Sequence, residues 1–336
     1  MSDQKHKSLE TMVERYVDPE YYQSVLFFVG MHARCPKPTL PRFKAQTANI
    51  HVILGGSSSC PDNVEQRRFT VKSDDDANIL VTRFASLKTL GSTKPTAAVI
   101  YIHGGGFVAL SIEVYASEIG SLARDSDMAF FGVDYRLAPE HRGPRASHDC
   151  YAVLQHISER ASEFNIDAAR IALMGNSAGA TISAGTSLLA RDRALSPPLA
   201  KQILIYLLLD DCYLEPNLPE SPEALDRTCI AMTRVCLDGY LGEGKWGRPD
   251  SPTSPYAIPA RASTLRGLPA TYLEAPGLDL YRHDALSFVS RLLQDDVSVE
   301  FHLWPGLPHE FDLNKATSWY KRAFGSRLRA IKSIGI

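Results

Sequence analysis

The stretch RIALMGNSAGATISAG (Arg170–Gly185) contains a short apolar run, a glycine-flanked serine and a segment rich in alanine. The apolar run predicts a buried strand, and the alanine-rich segment predicts a helix. The serine between them, Ser177, sits on a tight turn whose strained backbone lifts its hydroxyl out of the sheet. Ser177 is therefore a candidate nucleophile. The plain alternative is a glycine-flanked turn without chemistry, which five residues alone can produce.

Short apolar runs alternate with amphipathic segments on both sides of this turn. The predicted strands are Ala97–His103, Ala129–Asp134, Arg170–Met174, Gln202–Leu209, Ala270–Glu274 and Val297–Leu303. The predicted helices are Val114–Arg124, His148–Glu163, Ala178–Arg191, Ala285–Leu293 and Lys315–Ile331. This alternation predicts an α/β fold with a parallel sheet and helices on both faces. Before it, RRFTVKS and ILVTRFAS predict an antiparallel hairpin.

Two segments do not fit the alternation, residues 1–45 and 210–259. Both carry apolar helical patterns, such as Cys229–Leu241 in the second segment. In the first segment, we expect the prolines at 36, 38 and 41 to break the chain after its helical pattern. Ligands of α/β folds bind at the carboxyl edge of the sheet. We therefore predict one domain over residues 1–336, with a cap over that edge built from these two segments.

The stretch HGGGF (His103–Phe107) directly follows a predicted buried strand. Three consecutive glycines let backbone N–H groups approach a substrate oxygen without obstruction by a Cβ atom. A phosphate-binding loop is the competing interpretation, but the lysine of that motif is missing, and the glycine spacing does not fit a dinucleotide-binding turn. The pair HGGG and GxSxG, in this order, favours an oxyanion loop ahead of a nucleophile.

A serine nucleophile needs a general base, and the base needs an acid that orients it. Downstream of Ser177 the chain has three histidines. His302 lies inside a predicted strand and His283 at a helix start, whereas His309 follows a strand, where a base is needed. Asp279 also follows a strand and is the predicted acid. Three other aspartates are interpreted as helix-start or solvated charges: Asp284, Asp295 and Asp296.

With these residues identified, the sequence resembles the hormone-sensitive-lipase-like carboxylesterases of the α/β-hydrolase fold, particularly their fungal members. The resemblance runs from about residue 100 to near the C-terminus. It is carried by HGGGF, VDYRLAPEH (Val133–His141), GNSAG, LLLDD (Leu207–Asp211), SPYAIPARA (Ser254–Ala262), GLDLYRHD (Gly277–Asp284) and PGLPHEF (Pro305–Phe311).

The resemblance implies a catalytic triad of Ser177, Asp279 and His309. It further implies that the oxyanion donors are the backbone N–H groups of Gly105, Gly106 and Ala178, and that His103 orients the loop. Three positions depart from the family pattern. Asn176 stands where an acid or threonine is usual, His283-Asp284 replaces Asp-Glu, and Leu207 replaces proline.

Composition limits the partners. The 336 residues carry 36 Lys plus Arg and 38 Asp plus Glu, a formal net charge of −2. Nothing concentrates positive charge, so we expect a small-molecule ester as partner, no nucleic acid and no stable membrane insertion. No metal or organic cofactor is implied, and a homo-oligomer is left open. The six cysteines, predicted to be free thiols, are Cys35, Cys60, Cys150, Cys212, Cys229 and Cys236.

These observations predict a serine carboxylesterase that acts on small to medium esters, with a specialised-metabolite ester or an acyl transfer as close variants. A non-hydrolytic relative, such as a ligand receptor or a cyclase, and an amidase are the alternatives. The polar N-terminus has no apolar core of a signal peptide, so we expect a cytoplasmic protein.

Overall fold

The computed structural model describes residues 16–24, 39–55, 59–211, 227–248 and 250–334. In these residues one eight-stranded sheet runs in the order β1-β2-β4-β3-β5-β6-β7-β8. The strands are β1 (Val64–Lys72), β2 (Asn78–Ser86), β3 (Thr96–Ile102), β4 (Ala129–Asp134), β5 (Ile166–Asn176), β6 (Lys201–Ile205), β7 (Ala270–Pro276) and β8 (Val299–Trp304).

Strand β2 pairs antiparallel with β1 and β4, and the other neighbouring strands pair in parallel. The predicted hairpin and the predicted parallel sheet are thereby confirmed. The helices that pack around the sheet in the described part of the chain are α1 (Leu40–Gly55), α2 (Leu87–Leu90), α3 (Ile112–Ser126), α4 (Arg145–Glu159), α5 (Ala178–Asp192), α6 (Arg227–Tyr240), α7 (Arg282–Gln294) and α8 (Ser318–Lys332).

The central strand β3 shows why the sheet is covered on both faces. Ile100 and Ile102 belong to one apolar cluster together with side chains of α4 and α5. Val99 and Tyr101 point the other way, into a cluster with side chains of α3 and α8. All four are fully buried. Burial of each such side chain stabilises the fold by about 1.5–3 kcal/mol, so an apolar run without alternation is what this position requires.

Two predicted boundaries differ from the structure at the carboxyl edge of the sheet. The strand predicted over Gln202–Leu209 ends at Ile205, because Tyr206 adopts a positive φ of 39° and the chain leaves the sheet there. The helix predicted from Lys315 begins at Ser318, and the Thr317 side chain accepts a hydrogen bond from the Tyr320 backbone N–H at 3.1 Å. An N-cap of this kind stops the helix from extending backwards.

The prediction that Pro41 breaks the chain is wrong. Pro41 lies in the first turn of α1, where a helix needs no N–H from it and where its fixed φ is already helical. Helix α1 then continues to Gly55, ten residues past the predicted end of the first segment at residue 45. Pro36 and Pro38 lie outside the described residues. The sequence also predicts a helical pattern over Val25–Met31 and an exposed loop over Gly55–Cys60; the first lies outside the described residues, as do residues 56–58 of the second.

Residues 19–24 are helical and pack near the carboxyl edge of the sheet. Tyr21 is buried in a cluster with Trp304, Leu307 and Phe311. The Asp18 backbone N–H donates to the Gly306 carbonyl at 2.8 Å. Within the described ranges, the helices are all too short or too polar to cross a membrane.

Candidate active site

The three side chains predicted as a triad lie at the carboxyl ends of three parallel strands. Ser177 follows β5, Asp279 lies three residues after β7, and His309 lies in the loop after β8. The structure brings them together. Ser177 Oγ is 2.9 Å from His309 Nε2, and His309 Nδ1 is 2.7 Å from Asp279 Oδ2. Both are hydrogen-bond distances.

The turn that carries Ser177 is strained, as the GxSxG pattern predicts. Ser177 has φ 53° and ψ −124°, and its backbone N–H donates to the Ile205 carbonyl at 2.9 Å. A Cβ at Gly179 would lie 2.0 Å from the Ile102 carbonyl oxygen, and one at Gly175 would lie 2.4 Å from the Gly179 oxygen. Both glycines are therefore required, because strand β3 and helix α5 pass too close for any side chain.

The bonding of the imidazole determines its tautomer. Asp279 is 1% exposed, and its Oδ1 accepts a hydrogen bond from the Tyr281 backbone N–H at 3.0 Å. Its Oδ2 can only accept, so the His309 Nδ1 atom carries the proton in their 2.7 Å bond. The Nε2 atom is then left as the acceptor for the Ser177 hydroxyl. This arrangement lets the imidazole remove the serine proton while the carboxylate stabilises the positive ring.

The other candidates lie elsewhere or have other partners. His302 lies in β8 and pairs with Glu300 at 2.8 Å, and His283 lies in the first turn of α7, both as predicted. Asp295 is half-buried and Asp296 exposed at the end of α7. Asp284 lies at a helix start, as predicted, and it is buried there. It is 5% exposed, and its Oδ2 accepts from the Asp210 backbone N–H at 3.2 Å.

Burial, together with the charges of Asp210 and Asp279, raises the pKa of Asp284 to about 8. The backbone N–H groups of Leu209 and Asp210 lower the pKa in part. Its carboxyl group is therefore largely protonated at neutral pH. A neutral neighbour leaves the negative charge beside the imidazole to Asp279.

The glycine loop adopts a conformation that only glycine takes easily. Gly105 has φ 110° and Gly106 has φ 60°. A Cβ on Gly105 would lie 2.2 Å from the Ala109 carbonyl oxygen. The loop is closed by the Ala109 N–H, which donates to the Gly105 carbonyl at 3.0 Å. Across from it, Ala178 is the first residue of α5, so its N–H has no partner within that helix.

His103 is buried beneath this loop, 1% exposed. Its Nδ1–H donates to the Gly104 carbonyl at 2.7 Å, and its ring stacks on Tyr135 with the centroids 4.3 Å apart. The Tyr135 hydroxyl in turn donates to the His103 carbonyl at 2.9 Å. Burial is the main cause that lowers the pKa of His103 to about 4. A neutral ring that is bonded to the Gly104 carbonyl and stacked on Tyr135 supports the glycine loop and is a poor candidate for a second base.

Two helices from the predicted cap segments contact the glycine loop. A Cβ on Gly106 would lie 2.7 Å from the Cys236 Sγ atom on α6 and 2.9 Å from the Phe43 Cζ atom on α1. Phe107 stacks on Tyr240 at the end of α6, with centroids 3.9 Å apart and planes 8° apart. The loop is therefore sandwiched between the sheet edge and these helices.

Helix α6 also reaches Tyr281, which packs beside His309. Thr233 Oγ1 is 2.5 Å from the Tyr281 hydroxyl, and the Tyr281 ring packs edge-on against His309 at 5.4 Å. A second ring, Tyr206, packs against the other side of the site at 4.9 Å from His309. Sequence reasoning missed Phe43, Tyr206 and Tyr281. The only sequence signal for a site role of Tyr206 and Tyr281 is that they lie next to or within a motif, and aromatic residues of the core show the same signal. Phe43 lies near no motif.

The described residues hold no cluster of three or more His, Cys, Asp or Glu arranged to bind a metal ion. Cys60, Cys150 and Cys236 are free thiols, as predicted for these three. Burial raises the pKa of Cys236, so it stays a thiol beside the oxyanion loop.

A family model described as alpha/beta hydrolase fold matches residues 99–313, which include the glycine loop, Ser177, Asp279 and His309. The chain belongs to this family. The α/β-hydrolase fold predicted from the motifs is thereby confirmed.

Several proteins are similar to this chain over most of its length. "Esterase LipI" of Mycobacterium tuberculosis is 31% identical over 253 residues, which cover 75% of this chain and 77% of that protein. "Ethyl acetate hydrolase" of Pseudomonas putida is 29% identical over 294 residues, 84% of each chain. The solved structure titled "Bacterial Heroin Esterase" has a TM-score of 0.83 and 33% identity, and covers 95% of this chain and 98% of its own.

Proposed function

We propose that this alpha/beta hydrolase is a serine carboxylesterase that uses Ser177, His309 and Asp279 as its triad. The observation that carries the proposal is the unbroken relay of two hydrogen bonds, 2.9 Å from Ser177 Oγ to His309 Nε2 and 2.7 Å from His309 Nδ1 to Asp279 Oδ2. The strained elbow and the glycine loop support it, since they provide an exposed nucleophile and backbone donors.

In the first half of the reaction, the Ser177 oxygen attacks the ester carbonyl while His309 Nε2 takes its proton. Asp279 stabilises the resulting imidazolium. The negative oxygen of the tetrahedral intermediate accepts hydrogen bonds from the N–H groups of Gly105, Gly106 and Ala178, each worth about 3–4 kcal/mol. His309 then gives the proton to the departing alkoxide, and the alcohol leaves.

In the second half, a water molecule attacks the acyl-enzyme and His309 again takes the proton. The carboxylic acid leaves with Ser177 restored. A transacylase differs only in the acceptor, an alcohol in place of water. The names of the relatives, an ethyl acetate hydrolase and an esterase of heroin, favour hydrolysis and favour small acyl groups.

The cap is the second part of the proposal. Helices α1 and α6 cover the oxyanion loop through Phe43 and Cys236, and α6 holds Tyr281 beside His309. Apolar side chains in this position exclude water during acylation and contact the acyl or alcohol group. Residues 19–24 add Tyr21 to the outer wall of the base loop.

Labelling by a fluorophosphonate probe tests the triad. We expect the wild-type protein to be labelled stoichiometrically, with labelling lost in Ser177→Ala. A panel of esters graded by acyl length, with the matching amides, then tests the reaction. The proposal is wrong if the probe does not label Ser177, which is the behaviour of a ligand receptor on this fold. Faster turnover of amides than of esters supports an amidase instead.

Deletion of the residues before Pro36 tests the N-terminal part of the cap. We expect KM and the acyl-length preference to change far more than the labelling of Ser177, because the position of Ser177 is fixed by the sheet and not by this segment. An unchanged substrate profile contradicts a role of this segment in the cap.

Three predictions from the sequence complete the proposal. We propose a cytoplasmic location, a closer relationship to fungal members than to other branches, and no nucleic-acid partner. The relatives reported above are bacterial, so the fungal relationship rests on the sequence motifs alone.

A further inference from the structure

Directly behind the nucleophile lies a buried cluster of charges that the proposed mechanism does not use. Arg327 of α8 is fully buried and bonds to Asp312 at 2.5 Å and to Glu274 through Nε at 3.1 Å. Glu118 of α3 lies 3.5 Å from the same guanidinium, without hydrogen-bond geometry. Three carboxylates thus share one buried cation.

Asn176, the residue before the nucleophile, is the link between this cluster and the active site. It is 3% exposed. Its Oδ1 accepts from the Tyr101 hydroxyl at 2.6 Å, and its Nδ2 donates to the Tyr206 hydroxyl at 3.4 Å. The Tyr206 hydroxyl donates to Asp312 at 3.1 Å. The ring of the same tyrosine packs against His309 at 4.9 Å.

The direction of these hydrogen bonds requires a neutral side chain at position 176. Tyr206 has one proton, and Asp312 takes it, so the group at 176 must donate to the Tyr206 oxygen. An amide does this, whereas a carboxylate can only accept. A carboxylate at 176 would also be a fourth buried negative charge near one guanidinium.

The cluster already holds more carboxylates than its one guanidinium can neutralise. Burial and the nearby Asp312 raise the pKa of Glu118 to about 7. A cavity of about 50 Å³ separates Glu118 from Asn176 and Tyr206. The titratable and charged groups that line this cavity are His51, Tyr115, Glu118, Tyr206, Asp312 and Lys315. Four further groups interact electrostatically with members of this set: Tyr101, Glu274, Glu310 and Arg327.

We propose that Asn176 is a positioning residue. Its neutral amide donates to Tyr206 and adds no negative charge to the buried acidic cluster behind Ser177 and His309. It holds Tyr206 against His309, while Asp312, itself bonded to Arg327, accepts the hydrogen bond of the tyrosine hydroxyl from behind. The inference concerns the residue where the family usually has an acid or threonine, and it rests on the proposed function of Ser177 and His309.

The test is Asn176→Asp, followed over pH. The new carboxyl group can replace the amide while it is protonated, because its hydroxyl donates to Tyr206. Since its folded pKa is raised above the unfolded value, the stability it contributes is present below about pH 4 and is lost as pH rises through the folded pKa. We expect the melting temperature to match wild type near pH 4 and to fall about 5 °C or more below it at pH 8. At pH 8 we also expect kcat to fall about tenfold with KM within twofold.

Glu118→Gln in the same chain provides the decisive control. Removal of one carboxylate from the cluster should restore at least half of the lost melting temperature and of the lost kcat at pH 8. Glu118→Gln alone should keep wild-type activity. The exposed Asn63→Asp should show no pH-dependent difference from wild type.

A loss in Asn176→Asp that is equal at all pH values, or that Glu118→Gln does not restore, overturns the proposal and assigns Asn176 a packing role only. Failure of the proposed function itself is distinguished by the fluorophosphonate probe. An unlabelled wild-type protein overturns the triad, whereas the stability differences remain measurable without activity.

Discussion

The front and the back of the nucleophile elbow handle buried charge in different ways. In front, Asp279 gives one carboxylate to one imidazole, and the pair has a direct 2.7 Å bond. Behind, Glu274, Asp312 and Glu118 share the guanidinium of Arg327. Both arrangements lie within a few residues of the same strand ends.

The difference teaches which charges move and which do not. In the proposed mechanism, the imidazole in front changes its protonation state during each half-reaction, so one unshared acid must face it. Behind, the arginine keeps its proton at every working pH and stays paired with Glu274 and Asp312. On this proposal, the elbow separates a site that moves protons from a site where charge is balanced by buried ion pairs.

Loss of the nucleophile is the largest expected effect on the front. Ser177→Ala should lower kcat about a millionfold, because the serine and its base act as one unit. The fold should remain, since the strained turn is held by Gly175, Gly179 and the Ile205 carbonyl. Steady-state kinetics and a thermal melt measure the two effects. A purified variant that keeps a tenth of the wild-type rate shows that another residue is the nucleophile.

Asp279→Asn is expected to have the next largest effect on activity. The amide can present an N–H to His309 Nδ1, which favours the wrong tautomer, and kcat should fall by about four orders of magnitude. The rate of a short ester at several pH values measures it. A loss of less than tenfold would show that another carboxylate orients the base.

Arg327→Met tests the buried charge cluster behind the elbow. It leaves Glu274 and Asp312 buried without their cation, which should cost about 3–5 kcal/mol of the free energy of unfolding. Arg329→Met on the same helix is the matched control. Arg329 is 66% exposed and pairs with Glu300 at 3.3 Å, so we expect a change of at most about 1 kcal/mol. Urea unfolding measures both. Equal losses in the two variants would contradict the stabilising role of Arg327.

Phe43→Ala tests whether the proposed cap lines the substrate pocket in front of Ser177. Its ring lies against Gly106, so its removal should enlarge the acyl or alcohol pocket and change the chain-length preference in kcat/KM roughly tenfold. The rate of the shortest ester should change little. Asn49→Ala, at an exposed position on the same helix, is the control. An unchanged preference would place the pocket elsewhere.

Asp284→Asn is expected to have the smallest effect, within about threefold in kcat. Its pKa of about 8 keeps the carboxyl largely protonated at pH 7, and asparagine retains the oxygen that accepts from Asp210. Because this folded pKa is raised, wild-type stability should decline between the ordinary value of 3.8 and about 8, and the variant should lack this decline. Melting temperatures across that range measure it. A larger loss of activity than in Asp279→Asn would reverse the assignment of the acid.

The succession of strands and helices along the chain, and the placement of Ser177, Asp279 and His309 after strands, could be predicted from the sequence. Each depends on a local pattern: an apolar run predicts a strand, and a motif residue follows it. The edges were less predictable. Tyr206 ends β6 early through a positive φ, and Pro41 opens a helix that it was expected to prevent.

The sequence by itself determined the α/β framework and the glycines of the elbow and the loop, because close backbone approach excludes every other residue at those positions. Only the tertiary structure decided which charges meet. Helix α8 contains Arg322, Arg327 and Arg329, and the helical period places Arg327 alone on the buried face with Ala323, Ala330 and Ile331. That the guanidinium meets Glu274, Asp312 and Glu118 there depends on segments from distant parts of the chain, and local sequence patterns carry no record of these partners.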